Sequence, residues 1–185
     1  MALLEAIERA SAFASPAIDI GTGAGIPGVP MNIVRPALEL TLLEATGKKT
    51  EFLQKAVDLL GLEAVTVVHG RAEEAARDPE HREQYPLAVA KAVAPLRVLV
   101  ELALPFVGLG GYLAAQKGSA AERELAEAAT AIGVCGGEVA AIQAFEAPGA
   151  AVKPVLVLIR KVAPTPEAYP RRPGIPTKRP LGRDG

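Results

Sequence analysis

Three glycines spaced by two form the part of this chain whose residue types point most directly to ligand binding. Gly21, Gly23 and Gly25 directly follow the short apolar run Ala17–Ile20, which contains Asp19. Because glycine has no Cβ, the backbone can turn tightly here from a strand into a helix and let a ligand lie against it. The amide N–H groups near the start of the helix are then available as donors. The spacing therefore predicts a nucleotide-type cofactor on this turn.

Two cofactors are compatible with this segment. Residues 23–28 also match the pattern G-x-G-x-x-G of nicotinamide dinucleotide sites, and Glu44 follows at roughly the expected distance of about 20 residues. Three features favour S-adenosylmethionine. Asp19 precedes the glycines, where it can reach the amino acid end of that cofactor; Pro27 occupies a helix position that should approach a pyrophosphate; and the predicted sheet ends in a hairpin. A NAD-dependent oxidoreductase stays open as the alternative.

Two more segments follow predicted strands, where the rest of such a cofactor would lie. Glu44 ends the second strand, and its two carboxylate oxygens can accept hydrogen bonds from both ribose hydroxyls. Ala45 and Thr46 lie in the same turn, and Thr46 is also a candidate cap for the next helix. Ala72 and Glu73, just past the third strand, are predicted to flank an adenine ring.

The elements that position these residues alternate along the chain as short apolar runs and amphipathic stretches, the pattern of parallel βα units. Strands are expected at residues 17–20, 38–44, 65–69, 87–93, 112–116, 138–145 and 155–161. Helices are expected at residues 48–60, 95–104 and 120–131, with another opened by Pro27 or Pro30. With its last two strands paired as an antiparallel hairpin, the chain is predicted to have the α/β, Rossmann-like fold of a class I methyltransferase, with a mostly parallel seven-stranded sheet.

Composition indicates one globular domain. Of the 185 residues, half are apolar and 22% are charged, and no apolar stretch approaches the roughly 18–20 residues that cross a bilayer. The single cysteine, Cys135, leaves no disulfide or cysteine metal site within one chain, and we interpret it as a small buried apolar residue. We therefore expect a cytoplasmic protein without a metal, and favour a monomer.

Charge divides the chain into a body and a tail. The body is predicted to span residues 1–163, with a short N-terminal helix within residues 1–16, and prolines predict an extended tail over residues 164–185. Residues 160–185 hold seven Lys or Arg and two acids, a net charge of +5, so that with a total of −1 the preceding residues carry −6. A basic tail can contact phosphates or simply be a solvated terminus.

Together these motifs resemble the glucose-inhibited division protein B family, also called ribosomal RNA small subunit methyltransferase G. The resemblance rests on the segments DIGTGAGIPGVP (19–30), LLEATGKK (42–49), HGRAE (69–73), AVAPL (92–96), QKG (116–118) and YPRRPGIP (169–176). It implies methyl transfer from S-adenosylmethionine to N7 of a guanine in 16S ribosomal RNA, with that RNA or the small ribosomal subunit as partner. The implied cofactor positions are Gly21, Ile26, Glu44, Ala45, Thr46, Ala72 and Glu73.

Guanine N7 carries a lone pair and no proton, so this chemistry predicts no catalytic acid or base, only residues that position the substrate. Lys91 and Lys117 end the fourth and fifth strands, on the side where open α/β sheets bind ligands, and both are candidates for that role. We also place Lys91 at the cofactor, because its strand end faces the transferred methyl group in this fold. Arg171 and Arg172 are candidates for contact with the RNA backbone.

Two features depart from the family pattern. Lys91 stands where the family usually has Arg, which keeps the charge but loses the planar, bidentate fork. The family also carries a helical region before the first strand, whereas only residues 1–16 precede it here. This predicts that part of the cover over the pocket is missing, and it leaves a cofactor-binding but inactive ribosome-associated module as a third hypothesis.

Overall fold

Seven strands form one sheet in this computed structural model, which describes residues 2–182. The strands are β1 (Ala17–Ile20), β2 (Leu40–Glu44), β3 (Val65–His69), β4 (Tyr85–Lys91), β5 (Val107–Lys117), β6 (Gly137–Ala144) and β7 (Val155–Lys161). The helices are α1 (Ala2–Arg9), α2 (Gly28–Val34), α3 (Gly47–Leu60), α4 (Ala72–Ala75), α5 (Leu96–Ala103), α6 (Ala121–Val134) and α7 (Ile175–Lys178), with a 3₁₀ turn at Leu104–Phe106.

The sheet has the order β3-β2-β1-β4-β5-β7-β6. Strands β1 to β5 run parallel, whereas β7 runs antiparallel to both of its neighbours, β5 and β6. The chain moves outward from β1 in one direction and then returns to place β4 on the other side of β1. Ligands of open α/β sheets bind at such a reversal, outside the carboxyl ends of the strands. The predicted fold class and the hairpin are therefore confirmed.

Helices cover both faces of the sheet, which explains the apolar character of its central strands. One apolar cluster packs β-strand side chains such as Ile18 and Leu113 against α5 and α6, and a second packs Leu42 and Leu87 against α1, α2 and α3. The side chains of residues 87–90 in β4 are fully buried. These two layers hold the carboxyl ends of β1, β2 and β4 in fixed positions.

Some predicted bounds are wrong for identifiable reasons. Strand β5 begins at Val107, five residues before the predicted start, because Gly108, Gly110 and Gly111 continue the strand. A Cβ on Gly111 would lie 2.6 Å from the carbonyl oxygen of Pro86, so only glycine fits this irregular pairing with β4. On α3 only Leu53 and Val57 are buried, whereas the apolar Phe52 is 56% exposed.

The C-terminal tail is not the extended segment that its prolines predict. Within the described part, residues 164–182, it packs on the body and contains α7, with Pro176 in the first turn, where a missing N–H costs little. Residues 183–185, including Arg183 of the basic tail, lie outside the described residues. A boundary between a domain and a tail at residue 164 stays a prediction.

Among residues 2–182, no helix is both long and apolar enough to cross a membrane. The described N-terminal helix, α1, packs its residues Leu3, Leu4 and Ile7 into the core.

The predicted burial of Cys135 is confirmed: its side chain is fully buried, and burial raises the pKa of its thiol to about 12. The thiol therefore stays protonated near neutral pH and is no nucleophile.

Candidate cofactor and substrate site

The glycine turn joins β1 to α2 through three residues in the left-handed region. The φ angles are +63° at Gly21, +65° at Gly23 and +88° at Gly25, values that side chains with a Cβ rarely adopt. A Cβ on Gly21 would lie 3.2 Å from both Cγ atoms of Val93, in the segment that follows β4. The turn is thus packed directly against the end of β4, at the predicted position of the crevice.

Asp19, in β1, is packed against this turn, and its contact with the amino acid end of a cofactor stays a prediction. Its side chain is fully buried, and its Oδ2 accepts hydrogen bonds from the Thr22 hydroxyl at 2.6 Å and from the Gly28 N–H at 2.9 Å. Its Oδ1 has no hydrogen-bond partner among the described residues. The acid before the glycines therefore shapes the turn, because it ties Thr22 to the first residue of α2.

The pKa of Asp19 is raised from 3.8 to about 7. Burial raises it most strongly, and the hydrogen bonds from Thr22 and Gly28 and the charge of Lys91 offset only part of that effect. Because the pKa in the folded chain exceeds that of the unfolded chain, the stabilising contribution of Asp19 is fully present below pH 4. It is lost as the pH rises through about 7.

We predict that the stability of Asp19→Asn, relative to the wild type, increases between pH 4 and 8. The asparagine carbonyl oxygen can still accept from Gly28, but the side chain never carries the buried charge. The change is at most about 4 kcal/mol, since each unit of pKa shift corresponds to about 1.4 kcal/mol. Urea unfolding of both proteins at pH 5 and pH 8 measures it. The prediction would be contradicted if the unfolding free energies of the variant and the wild type differed by the same amount at pH 5 and at pH 8.

Glu44 connects the end of β2 to the glycine turn. Its carboxylate accepts the Gly23 N–H at 3.0 Å on one oxygen and the Thr46 N–H at 2.8 Å on the other. Desolvation alone would raise its pKa, but the hydrogen bonds from Thr46 and Gly23 and the charge of Lys49 outweigh it, so the pKa is lowered. Glu44 is therefore an ionised acceptor beside the turn near neutral pH.

The neighbours of Glu44 are arranged only partly as predicted. Thr46 stands at the N-cap of α3, but its hydroxyl forms no capping hydrogen bond. The carbonyl oxygen of Ala45 lies 3.2 Å from Nε2 of His69, the last residue of β3. His69 lies at the end of the predicted third strand, and the parallel register of β2 and β3 pairs it with Glu44.

Ala72 and Glu73 begin α4, directly after β3. Ala72 packs against the larger apolar cluster. Glu73 is only 8% exposed, and its Oε1 accepts the N–H of Gly174 in the C-terminal tail at 2.9 Å. The predicted adenine-flanking residues thus lie at the end of β3, and one of them is fixed by a segment that is distant in sequence.

The two lysines predicted to position a substrate differ in their surroundings. The Lys117 ammonium donates to the carbonyl oxygen of Ala94 at 2.6 Å and to Glu124 at 2.8 Å, and Glu124 also accepts the N–H of Leu96. These contacts fix the start of α5. Lys91 is exposed and takes part in no ion pair among residues 2–182. Lys91 is therefore the lysine that is available to a substrate.

Two clefts meet at Lys91. One runs from the end of β4 to the end of β5, and its lining includes Val93, Lys117 and Glu124. The other is mostly apolar and runs beneath the start of α1, where its lining includes Ile26. Lys91 and Gln116 belong to both, and the next residue, Ala92, has a φ of +55°, a strained value for a residue with a Cβ. The carboxyl end of β4 therefore lies where a cofactor and a substrate would meet.

The two arginines predicted to contact RNA also have different environments. Arg171 is used inside the protein: its guanidinium donates to both oxygens of Glu101, whose side chain is fully buried. This corrects the expectation for Arg171. Arg172 is exposed, and its contact with RNA stays a prediction.

A sheet of this order, a glycine turn after β1 and an acid at the end of β2 define the class I S-adenosylmethionine-dependent methyltransferases. Solved structures of that class share the fold. An rRNA methylase from Streptococcus thermophilus matches with a TM-score of 0.58 over 87% of this chain and 93% of its own, at 16% identity. A geranyl diphosphate C-methyltransferase from Streptomyces coelicolor, in complex with S-adenosyl-L-homocysteine, matches with a TM-score of 0.63 over 86% and 78%, at 13% identity.

Sequence similarity narrows the assignment. Residues 1–152 match the family GidB, rRNA small subunit methyltransferase G. Proteins named ribosomal RNA small subunit methyltransferase G are 52% identical in Roseiflexus castenholzii and 48% identical in Alkaliphilus metalliredigens, each over 89% of this chain and over 70% and 69% of their own length. The chain therefore belongs to the rRNA small subunit methyltransferase G family, and S-adenosylmethionine is its cofactor. The resemblance noted from the motifs is confirmed, and the NAD alternative is not supported.

Proposed function

We propose that this protein transfers the methyl group of S-adenosylmethionine to N7 of a guanine in 16S ribosomal RNA. The observation that carries the proposal is that Lys91 is exposed beside the glycine turn. Lys91 lines a cleft in which the acid among the described lining residues, Glu124, is already paired with Lys117. A guanine N7 has a lone pair and no proton to lose, so its attack needs no general base. The family membership of the chain supports the same substrate class.

The residues of the crevice fit the cofactor. No atom lies within 4 Å of the position that a Cβ on Gly23 would take, which leaves space over the turn for a ligand. Each oxygen of Glu44 accepts one backbone N–H and keeps a second lone pair, so the two can accept the two ribose hydroxyls. The proposed cofactor-contacting residues are Gly21, Gly23, Gly25, Ile26, Glu44, Ala45, Thr46, Ala72, Glu73 and Lys91. Asp19 ties the turn to α2 through its Oδ2, and its Oδ1, which has no hydrogen-bond partner among the described residues, is the proposed acceptor for the amino acid end of the cofactor.

Catalysis in this proposal is positioning. When bound at the glycine turn, S-adenosylmethionine would supply an electrophilic methyl group for N7 and would leave as S-adenosylhomocysteine. Holding the reacting atoms in line can supply about 7–11 kcal/mol in well-oriented cases. Lys91 holds the target nucleotide through its phosphate or base oxygens. Lys117 acts indirectly, because it fixes the segment between Lys91 and α5.

Mass spectrometry of RNA nucleosides tests the function. Purified protein is incubated with labelled S-adenosylmethionine and either small ribosomal subunits or protein-free 16S RNA from cells that lack this modification. We expect labelled 7-methylguanosine in at least one of the two substrates, and none with Gly21→Val. Tight binding of S-adenosylhomocysteine without any 7-methylguanosine would instead support an inactive ribosome-associated module.

As an enzyme of ribosomal RNA, the protein is proposed to act in the cytoplasm, as a monomer.

A further inference from the structure

The C-terminal tail forms a loop that is closed on itself, residues 171–179, which we call the basic loop. The guanidinium of Arg171 donates to the carbonyl oxygen of Arg179 at 2.8 Å and so joins the two ends of the loop. The same side chain donates to Glu101 of α5 at 2.8 and 2.6 Å, and the Arg171 backbone N–H adds a third bond at 2.9 Å. Because Glu101 is fully buried, the basic loop is fixed to the body and does not behave as a free terminus.

The basic loop lies at the edge of the cofactor crevice. Its Gly174 donates to Glu73, at the start of α4 and at the end of the crevice where we place the adenine. Gly174 has a φ of +80°, so the turn that brings its N–H to Glu73 is suited to glycine. Arg77, just after α4, donates to the carbonyl oxygen of Pro170 at 2.7 Å and fixes the entry to the loop.

The outer side of this loop carries three cations. Arg172, Lys178 and Arg179 are exposed, and none of them is in an ion pair among residues 2–182. Two acids form hydrogen bonds with the loop, and each already has a partner: Glu101 binds the Arg171 guanidinium, and Glu73 accepts the Gly174 N–H. The positive charge of Arg172, Lys178 and Arg179 therefore faces solvent. The residues before the tail carry a net negative charge, which would repel RNA.

We propose that the basic loop binds phosphates of the RNA that carries the target nucleotide. This inference rests on the proposed function, since it names the surface that holds the substrate. A guanine inserted at Lys91 leaves its neighbouring nucleotides outside the crevice, and the basic loop offers cations at the border of that crevice. Contacts of this kind with phosphates give affinity that depends on salt and not on base sequence.

The salt dependence of RNA binding tests the proposal. The variant Arg172→Gln, Lys178→Gln, Arg179→Gln is compared with the wild type for binding to protein-free 16S RNA between 50 and 200 mM salt. Each lost phosphate contact lowers the slope of log K against log salt by about 0.7–0.9, so we expect a slope smaller by about 2 and at least a tenfold loss of affinity near 100 mM salt. Affinity for S-adenosylhomocysteine should change less than twofold.

A matched control variant separates the effect of this surface on RNA binding from the effect of the total charge of the protein. The variant Arg9→Gln, Lys55→Gln, Arg160→Gln also removes three exposed cations, from α1, α3 and β7. It should keep the wild-type slope within about 0.5. Equal losses of slope in the two variants would overturn the proposal, as would an unchanged slope in the loop variant. If the wild type forms no 7-methylguanosine but the loop variant still loses slope, the proposed function fails while the RNA surface stands.

Discussion

Gly21→Val is expected to lower the affinity for S-adenosylhomocysteine at least 100-fold and to leave a folded chain. Valine strongly disfavours a φ of +63°, and a Cβ here comes within 3.2 Å of both Cγ atoms of Val93. Either the turn or the segment after β4 must move, and both border the proposed methionine end of the cofactor. Strand β1 ends at Ile20 and keeps its pairing, so the fold survives. Isothermal titration calorimetry measures the affinity, and circular dichroism checks the fold.

A second glycine of the chain provides the matched control. Gly61 has a φ of +62°, ends α3, and has no atom within 4 Å of its Cβ position. Gly61→Val therefore introduces the same backbone strain, of order 1–3 kcal/mol, at a distance from the crevice. It should lower stability and keep the affinity for S-adenosylhomocysteine. Wild-type affinity in Gly21→Val would disprove the assignment of the cofactor to this turn.

The features predicted correctly from the sequence are those that local chemistry decides. Residues 17–20 are apolar and precede glycines, so both the strand and its left-handed turn can be predicted from adjacent residues. Gly61 ends α3 in the left-handed conformation for the same local reason. The alternation of strands and helices then determines the parallel sheet, and with it the edge at which Gly21 and Glu44 meet.

The features missed by the sequence analysis depend on partners that are distant in the chain. Gly174 and Glu73 are 101 residues apart, and Arg171 and Glu101 are 70 residues apart, so no local pattern links them. Two signals could have indicated a folded tail. Glu101 is an acid in the mostly apolar helix α5, where a carboxylate that becomes buried needs a cation, and the tail contains two adjacent arginines.

The burial of Asp19 was also not predictable from its position before the glycines. An acid before a glycine turn can be exposed to solvent or enclosed by the turn and the helix that follows. The Thr22 hydroxyl and the Gly28 N–H both bind Oδ2 of Asp19 and hold its side chain in the enclosed position. A Cβ at Gly28 would lie 2.9 Å from Oδ2 of Asp19, so the close approach of α2 requires glycine there as well.

Arg171→Ala is expected to lower the free energy of unfolding by about 3 kcal/mol, because it leaves the fully buried carboxylate of Glu101 without its cation. Arg172→Ala removes the same type of side chain from the neighbouring, exposed position and should change stability by no more than about 0.5 kcal/mol. Urea unfolding of both variants measures the difference. Adding Glu101→Gln to Arg171→Ala should recover part of the loss, since no charge is then buried. Equal stabilities of the two single variants would show that Arg171 does not fasten the tail.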